Sequence, residues 1–98
     1  MYKIIWQYRV NAEHINKFME LYGPNGEWDK LFGKSRDFQG TELLKQEGSD
    51  NIFITIDNWN SKEAYDAFIK DNRTDYNNID QIGDAYTNSE KLIGLYHD

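Results

Sequence analysis

The sequence predicts one α+β domain of order β-α-β-β-α-β around a four-stranded antiparallel sheet, and three observations carry that expectation. Residues 2–10 and 52–59 are rich in the aromatic and β-branched side chains of strands. Two other stretches repeat apolar residues at spacings of three and four, as helices with one buried face do. The 98 residues contain no linker and no repeat, a length that supports one compact core.

The first strand is residues 2–10, where Tyr2, Ile4, Trp6, Tyr8 and Val10 alternate with Lys3, Ile5, Gln7 and Arg9. Asn11 is a capping residue for a helix whose stripe is Ile15, Phe18, Met19 and Tyr22. Gly23-Pro24-Asn25-Gly26 ends it, and Trp28, Leu31 and Phe32 then predict one or two further helical turns. That short helix is read either as a lid over a pocket or as a plug completing the core. Residues 33–40 read as loop. Thr41 to Gln46 and Ile52 to Trp59 form a hairpin across the turn cluster at 47–51. Asn60 or Ser61 caps the next helix, with Glu63 placed for a capping box on Asn60 and an inner face of Ala64, Tyr65, Phe68 and Ile69. A further helix spans about Thr74 to Tyr86, with Tyr76, Ile79, Ile82 and Tyr86 on one side, and Leu92 to Tyr96 is the last strand.

This order is the split βαβ, ferredoxin-like arrangement, with both main helices on one face of the sheet. The other face is not polar enough to meet water: Ile52-Phe53-Ile54-Thr55-Ile56 is apolar on both parities, and Ile5 stands opposite the aromatic row of the first strand. A second copy of the chain is the economical cover. The expectation is a homodimer, two sheets face to face around a shared α/β barrel core.

Composition narrows the function. Seventeen acidic against eleven basic residues give a net charge of −6, which repels nucleic acid and anionic membrane surfaces, so no nucleic acid and no membrane are expected as partners. With no cysteine, thiolate metal sites, iron–sulfur clusters and cysteine nucleophiles are excluded. The longest apolar runs are three to five residues, and Gln7 and Arg9 interrupt the first of them, so a cytoplasmic protein is expected. Gly23-x-x-Gly26 matches no phosphate-binding loop, and neither histidine has a partner at metal-ligand spacing; His14 reads as solvated. No carboxylate cluster of metal-ligand form is visible either, so no cofactor and no metal are expected.

Several strings resemble the antibiotic biosynthesis monooxygenase-like family: Tyr22-Gly23-Pro24-Asn25-Gly26-Glu27-Trp28, Leu31-Phe32, Gly40-Thr41-Glu42-Leu43-Leu44, Ile56-Asp57-Asn58-Trp59-Asn60-Ser61 and Glu90-Lys91-Leu92-Ile93-Gly94-Leu95-Tyr96. The resemblance covers nearly the whole chain. It implies ferredoxin-like dimers forming an α+β barrel, and a group that spans cofactor-independent oxygenases of aromatic polyketides and haem-degrading enzymes. The haem-degrading members use an Asn on the first strand, a Trp in the second main helix and a His soon after. The best-matching positions here carry Tyr8 and Phe68, and no His stands between His14 and His97, which disfavours haem degradation. No catalytic residue transfers from the family.

The candidate site therefore rests on residue types. Tyr8, Trp28, Phe32, Trp59 and Phe68 are the aromatics whose surroundings leave room for a flat ligand between sheet and helices, although each also reads as core. Arg9 and Asp57 are candidate polar partners, as an ion pair between neighbouring strands that would polarise a substrate oxygen. The resulting expectation is a cofactor-independent monooxygenase, or a related enzyme, acting on a small aromatic molecule. The alternative is a non-catalytic homodimeric module for ligand binding or assembly.

Overall fold

The computed structural model describes residues 1–98. Strand β1 (Tyr2–Val10) lies inside the sheet between β3 (Ile52–Trp59) and β4 (Thr87–His97), and β2 (Phe38–Lys45) borders β3, giving the order β2-β3-β1-β4 with every pair antiparallel. This is the predicted ferredoxin-like α+β topology. Helices α1 (Ile15–Tyr22), α2 (Glu27–Phe32), α3 (Lys62–Asp71) and α4 (Arg73–Asp84) supply the other layer. No helix is long and apolar enough to cross a membrane.

Register decides which side chains meet the helices. Tyr2 faces Trp59, Ile4 faces Asp57, Trp6 faces Thr55 and Tyr8 faces Phe53, so these eight residues share the inner face. Most of them are buried together with Phe18, Leu21, Tyr22, Trp28, Leu31, Phe32, Ile69 and Ile79 in one core. The Asn11 side chain accepts from the Glu13 N–H at 2.9 Å and opens a 3-10 turn that leads into α1. After α1 the chain reverses tightly: a Cβ at Gly26 would overlap the carbonyls of Glu20 and Leu21, so only glycine brings α2 this close. Trp28, Leu31 and Phe32 are all buried on α2, as a plug in the core requires.

Some boundaries differ from the sequence reading, each for an identifiable reason. β2 begins at Phe38 rather than Thr41, because a bulge with Gly40 at φ 106° lets Phe38 pair with Trp59 before the regular ladder resumes. β4 begins at Thr87 rather than Leu92: Thr87-Asn88-Ser89-Glu90-Lys91 has little strand propensity of its own, but pairing with β1 recruits it. Ser61, not Asn60, caps α3, its Oγ accepting from the Ala64 N–H at 3.1 Å, so the capping box with Glu63 does not form. Met19 and Ile82, expected on buried stripes, are exposed, while Leu21 is buried.

The outer face of the sheet carries Ile5 opposite Ile56, with Ile52, Ile54, Leu44 and Tyr96 around them. Leu44 and Tyr96 are exposed, as are Leu92, Ile93 and Leu95 along the β4 edge, beyond the reach of the helices.

Candidate functional site

A cavity of about 210 Å³ opens between the inner sheet face and the helices. Its floor is Ile4, Trp6 and Tyr8 from β1, Thr41 from β2, and Thr55 and Asp57 from β3. The helices close it with Tyr22 of α1, Trp28 and Phe32 of α2, Tyr65 of α3, and Tyr76 and Asp80 of α4, and Glu90 of β4 completes the wall. Strand alternation puts the floor residues on one side. Helical spacing puts Tyr22, Trp28 and Tyr76 opposite them.

The rings form a continuous wall. Tyr8 and Tyr22 have centroids 4.8 Å apart, and Trp28 meets Tyr76 edge to face at 4.9 Å and Phe32 at 5.4 Å. Tyr22 reaches α4 because position 83 is glycine; a Cβ there would overlap its hydroxyl. The phenols of Tyr8, Tyr22 and Tyr65 are protonated donors at neutral pH, and burial, by holding them above their ordinary range, keeps them so in more alkaline solution. The Trp28 indole N–H, also buried, leans toward the Tyr22 hydroxyl without closing a hydrogen bond of ordinary geometry, leaving an unpaired donor in the wall.

Asp57 is the one carboxyl on the floor. Desolvation by burial raises it from the usual 3.8 to about 6; a hydrogen bond from the Thr41 hydroxyl, 2.7 Å from Oδ1, opposes that rise, and the charge of Asp29 adds to it. A carboxylate in this position is an acceptor poised near neutral pH, the property a general base needs.

Of the predicted site residues, Tyr8, Trp28, Phe32 and Asp57 meet at this cavity. Trp59 and Phe68 stand behind the wall: Trp59 is fully buried, with Phe32, Phe38, Tyr65 and Phe68 each 5.2–5.5 Å from it, centroid to centroid. The Arg9–Asp57 pair does not exist. Arg9 is opposite Ile52 on the outer face and exposed, whereas Asp57 is opposite Ile4 on the inner face. The two strands are neighbours as expected, but the residues have opposite parity. His14 is not solvated as expected; it is half-buried, its ring 5.5 Å from Tyr86 and its Nδ1 without a partner.

The structure also brings together acids that the sequence reading did not connect. Asp80 and Asp84, one turn apart on α4, and Glu90, across the turn on β4, have carboxylate oxygens within 4.8 Å of one another. The expectation that no carboxylate cluster exists is thereby corrected; the third member becomes a neighbour only because β4 starts early. Burial and mutual repulsion raise Asp80 and Glu90 above ordinary carboxylate values. Thr41, Thr55, Tyr22, Tyr65 and Tyr76 were likewise unassigned. The one signal available for them was parity with Asp57 on the strands and membership of the helical stripes.

No protein-family model matches the chain, and no curated protein matches it in sequence. Solved structures do match in fold. SnoaB, a cofactor-independent oxygenase from Streptomyces nogalater, superposes with a TM-score of 0.76 at 13% identity, covering 99% of this chain and 91% of that one. A putative antibiotic biosynthesis monooxygenase from Nitrosomonas europaea gives 0.73 at 12% identity over 100% and 98%. A conserved protein from Methanosarcina mazei Go1 gives 0.75 at 12% over 99% and 91%. The chain has the fold of antibiotic biosynthesis monooxygenase-like proteins.

Proposed function

We propose that the protein is a cofactor-independent oxygenase, or a closely related enzyme, acting on a small aromatic hydroxy compound held in this cavity. The observation that carries the reading is Asp57, a carboxyl raised to about 6 on the floor of an aromatic-walled cavity. A fold shared with a cofactor-independent oxygenase supports it.

In this reading Tyr8, Trp28 and Phe32 hold the ring, with Trp59 and Phe68 fixing the wall from behind. Asp57 takes the hydroxyl proton of the substrate, leaving an electron-rich oxyanion that reduces dioxygen directly. With a hydroquinone, a ring C–H becomes C–OH as the quinol becomes the quinone: one oxygen atom enters the product as that hydroxyl and the other leaves as water with the two quinol hydrogens, so electrons balance without a further reductant. The protein supplies a base, orientation and exclusion of water. The protonated tyrosines of the wall are donors for the developing oxyanion.

The functional unit in this proposal is a homodimer through the outer sheet face, since Ile5, Ile52, Ile54 and Ile56 form an apolar surface that water does not favour. Sedimentation of wild type at twice the chain mass, and of Ile54→Lys at the chain mass, is the expected result.

Oxygen uptake with a panel of one- and two-ring hydroquinones tests the enzyme. Wild type is expected to accelerate uptake, and Asp57→Asn to lose at least about a hundredfold of that rate while still binding ligand. Binding of the panel with no uptake in either protein would make the cavity a binding site and the chain a non-catalytic module.

A further inference from the structure

The cavity's charge and size distinguish among aromatic ligands. We infer that it selects a one- or two-ring aromatic bearing a protonated amine, its ring against the wall of Tyr8, Tyr22 and Trp28 and its ammonium beside Asp80 and Glu90. This rests on the reading of the cavity as the substrate site and deepens it.

Size comes first. A cavity of about 210 Å³ exceeds the ~150 Å³ that admits benzene but falls below the ~300–1,000 Å³ of pockets for drug-sized ligands. One ring or a fused pair fits. Larger fused systems do not.

Charge comes second. Asp57, Asp80 and Glu90 line the cavity, and no lysine, arginine or histidine does. Arg73, which lies over the ring of Tyr76 at 5.5 Å, is exposed and is not part of the lining. An aromatic carboxylate entering here would meet like charges with no cation to pair with. An ammonium would meet Asp80 and Glu90, together with Asp84 just outside, and would offset both the burial and the mutual repulsion that raise Asp80 and Glu90. The faces of Tyr22, Trp28 and Tyr76 add cation–π attraction. A net charge of −6 on the whole chain steers cations inward in the same sense.

Geometry comes third. Glu90 is opposite Tyr8 and Asp57 is opposite Ile4, on the two strands that flank β1, so the two acidic ends are displaced by four residues along β1 and two strand spacings across it, roughly 16 Å in backbone position before the side chains lean in. Glu90 and Asp84 are exposed and Asp80 is half-buried, which makes theirs the outer end; Asp57 and the buried Thr55 are at the inner end. A ligand with a ring hydroxyl at one end and an amine at the other spans both.

The test is calorimetric titration of the wild-type protein with three phenols of matched shape: tyramine, neutral 4-ethylphenol and anionic 3-(4-hydroxyphenyl)propanoate. Tyramine is expected to bind at least tenfold tighter than 4-ethylphenol, with the propanoate weakest and the spread narrowing as salt rises. In Asp80→Asn/Glu90→Gln the ratio of tyramine to 4-ethylphenol affinity is expected to fall toward one. Equal affinities in wild type, or a preference for the propanoate, would overturn the inference; with oxygen uptake on hydroquinones intact, the enzymatic reading survives that failure. A tyramine preference without any oxygen uptake keeps the selection and removes the oxygenase. Calcium binding at the acidic cluster with no tyramine preference would make the cluster a metal-ion site and overturn the inference. No binding by any of the three overturns the inference, and together with no oxygen uptake on hydroquinones it overturns both.

Discussion

Two ends of the same aromatic layer behave differently. Around Trp59, the rings of Phe32, Phe38, Tyr65 and Phe68 close in from all sides and the tryptophan is fully buried. Around Trp6 and Tyr8, on the same inner face and at similar aromatic density, a cavity remains. The difference lies in what the neighbouring positions carry. Toward Trp59 the layer is filled by large apolar side chains. Over Ile4 and Trp6, between Trp59 and the Tyr8–Phe53 pair, it includes Thr41, Thr55 and Asp57, short polar residues that neither fill the space nor tolerate being sealed without a partner. Aromatic content alone therefore says little about a site. Polar residues set into an aromatic layer say more.

Removing ring volume from the packed end should have the largest effect. Trp59→Ala is expected to destabilise the fold by about 3–5 kcal/mol in chemical denaturation, as truncating a fully buried large aromatic does. A loss under about 1 kcal/mol would mean that this end is not the close-packed anchor described.

At the open end, Asp57→Asn should act in the opposite direction on stability. The ionised form of Asp57 is the one the fold disfavours, so its cost is present in full above about pH 6 and vanishes as pH falls toward 3.8, where the group is protonated folded or unfolded. The amide removes that charge and can still accept from Thr41. Asp57→Asn is therefore expected to be more stable than wild type by about 1–2 kcal/mol at pH 8 and equal to it near pH 4, measured by denaturant titration at both values. A variant less stable than wild type at pH 8 would break the contrast between the two ends.

A smaller effect probes the seam between α1 and α4. Glycine to alanine inside a helix ordinarily gains about 1 kcal/mol, but at position 83 the new methyl would meet the Tyr22 ring. Gly83→Ala is expected to lose about 1 kcal/mol instead, and the additional change Tyr22→Phe to recover part of it, a coupling that a double-mutant cycle in thermal unfolding reads directly. The smallest expected effect is that of Thr41→Val. Without its hydroxyl donor, Asp57 should titrate higher still, moving the acid limb of any pH–rate profile upward with little change in stability.

Much of the layer was legible in the sequence and the site was legible only in part, for physical reasons. Strands β1 and β3 announced themselves because alternation and β-branching coincide with burial there. The first half of β4, Thr87 to Lys91, did not, because it is polar and takes its conformation from pairing with β1. Asp57 was singled out with the wrong partner: two side chains on adjacent antiparallel strands meet only if register gives them the same parity, and register is a property of the hairpin and crossover rather than of either strand. The acidic cluster stayed hidden because it joins the end of α4 to the start of β4, the boundary read least well. Trp59 and Phe68 were grouped with Tyr8 by residue type, and only three-dimensional packing separates ring from wall.

The central claim is that Asp57 is a carboxyl held near neutrality on the floor of a ligand cavity. Carbon-13 NMR of its side-chain carboxyl, titrated over pH with and without 4-ethylphenol, tests it most directly. The account predicts a midpoint near pH 6 and a ligand-dependent shift of that resonance, absent for exposed acids such as Asp50. A midpoint near 3.8 and a resonance indifferent to the phenol would contradict it.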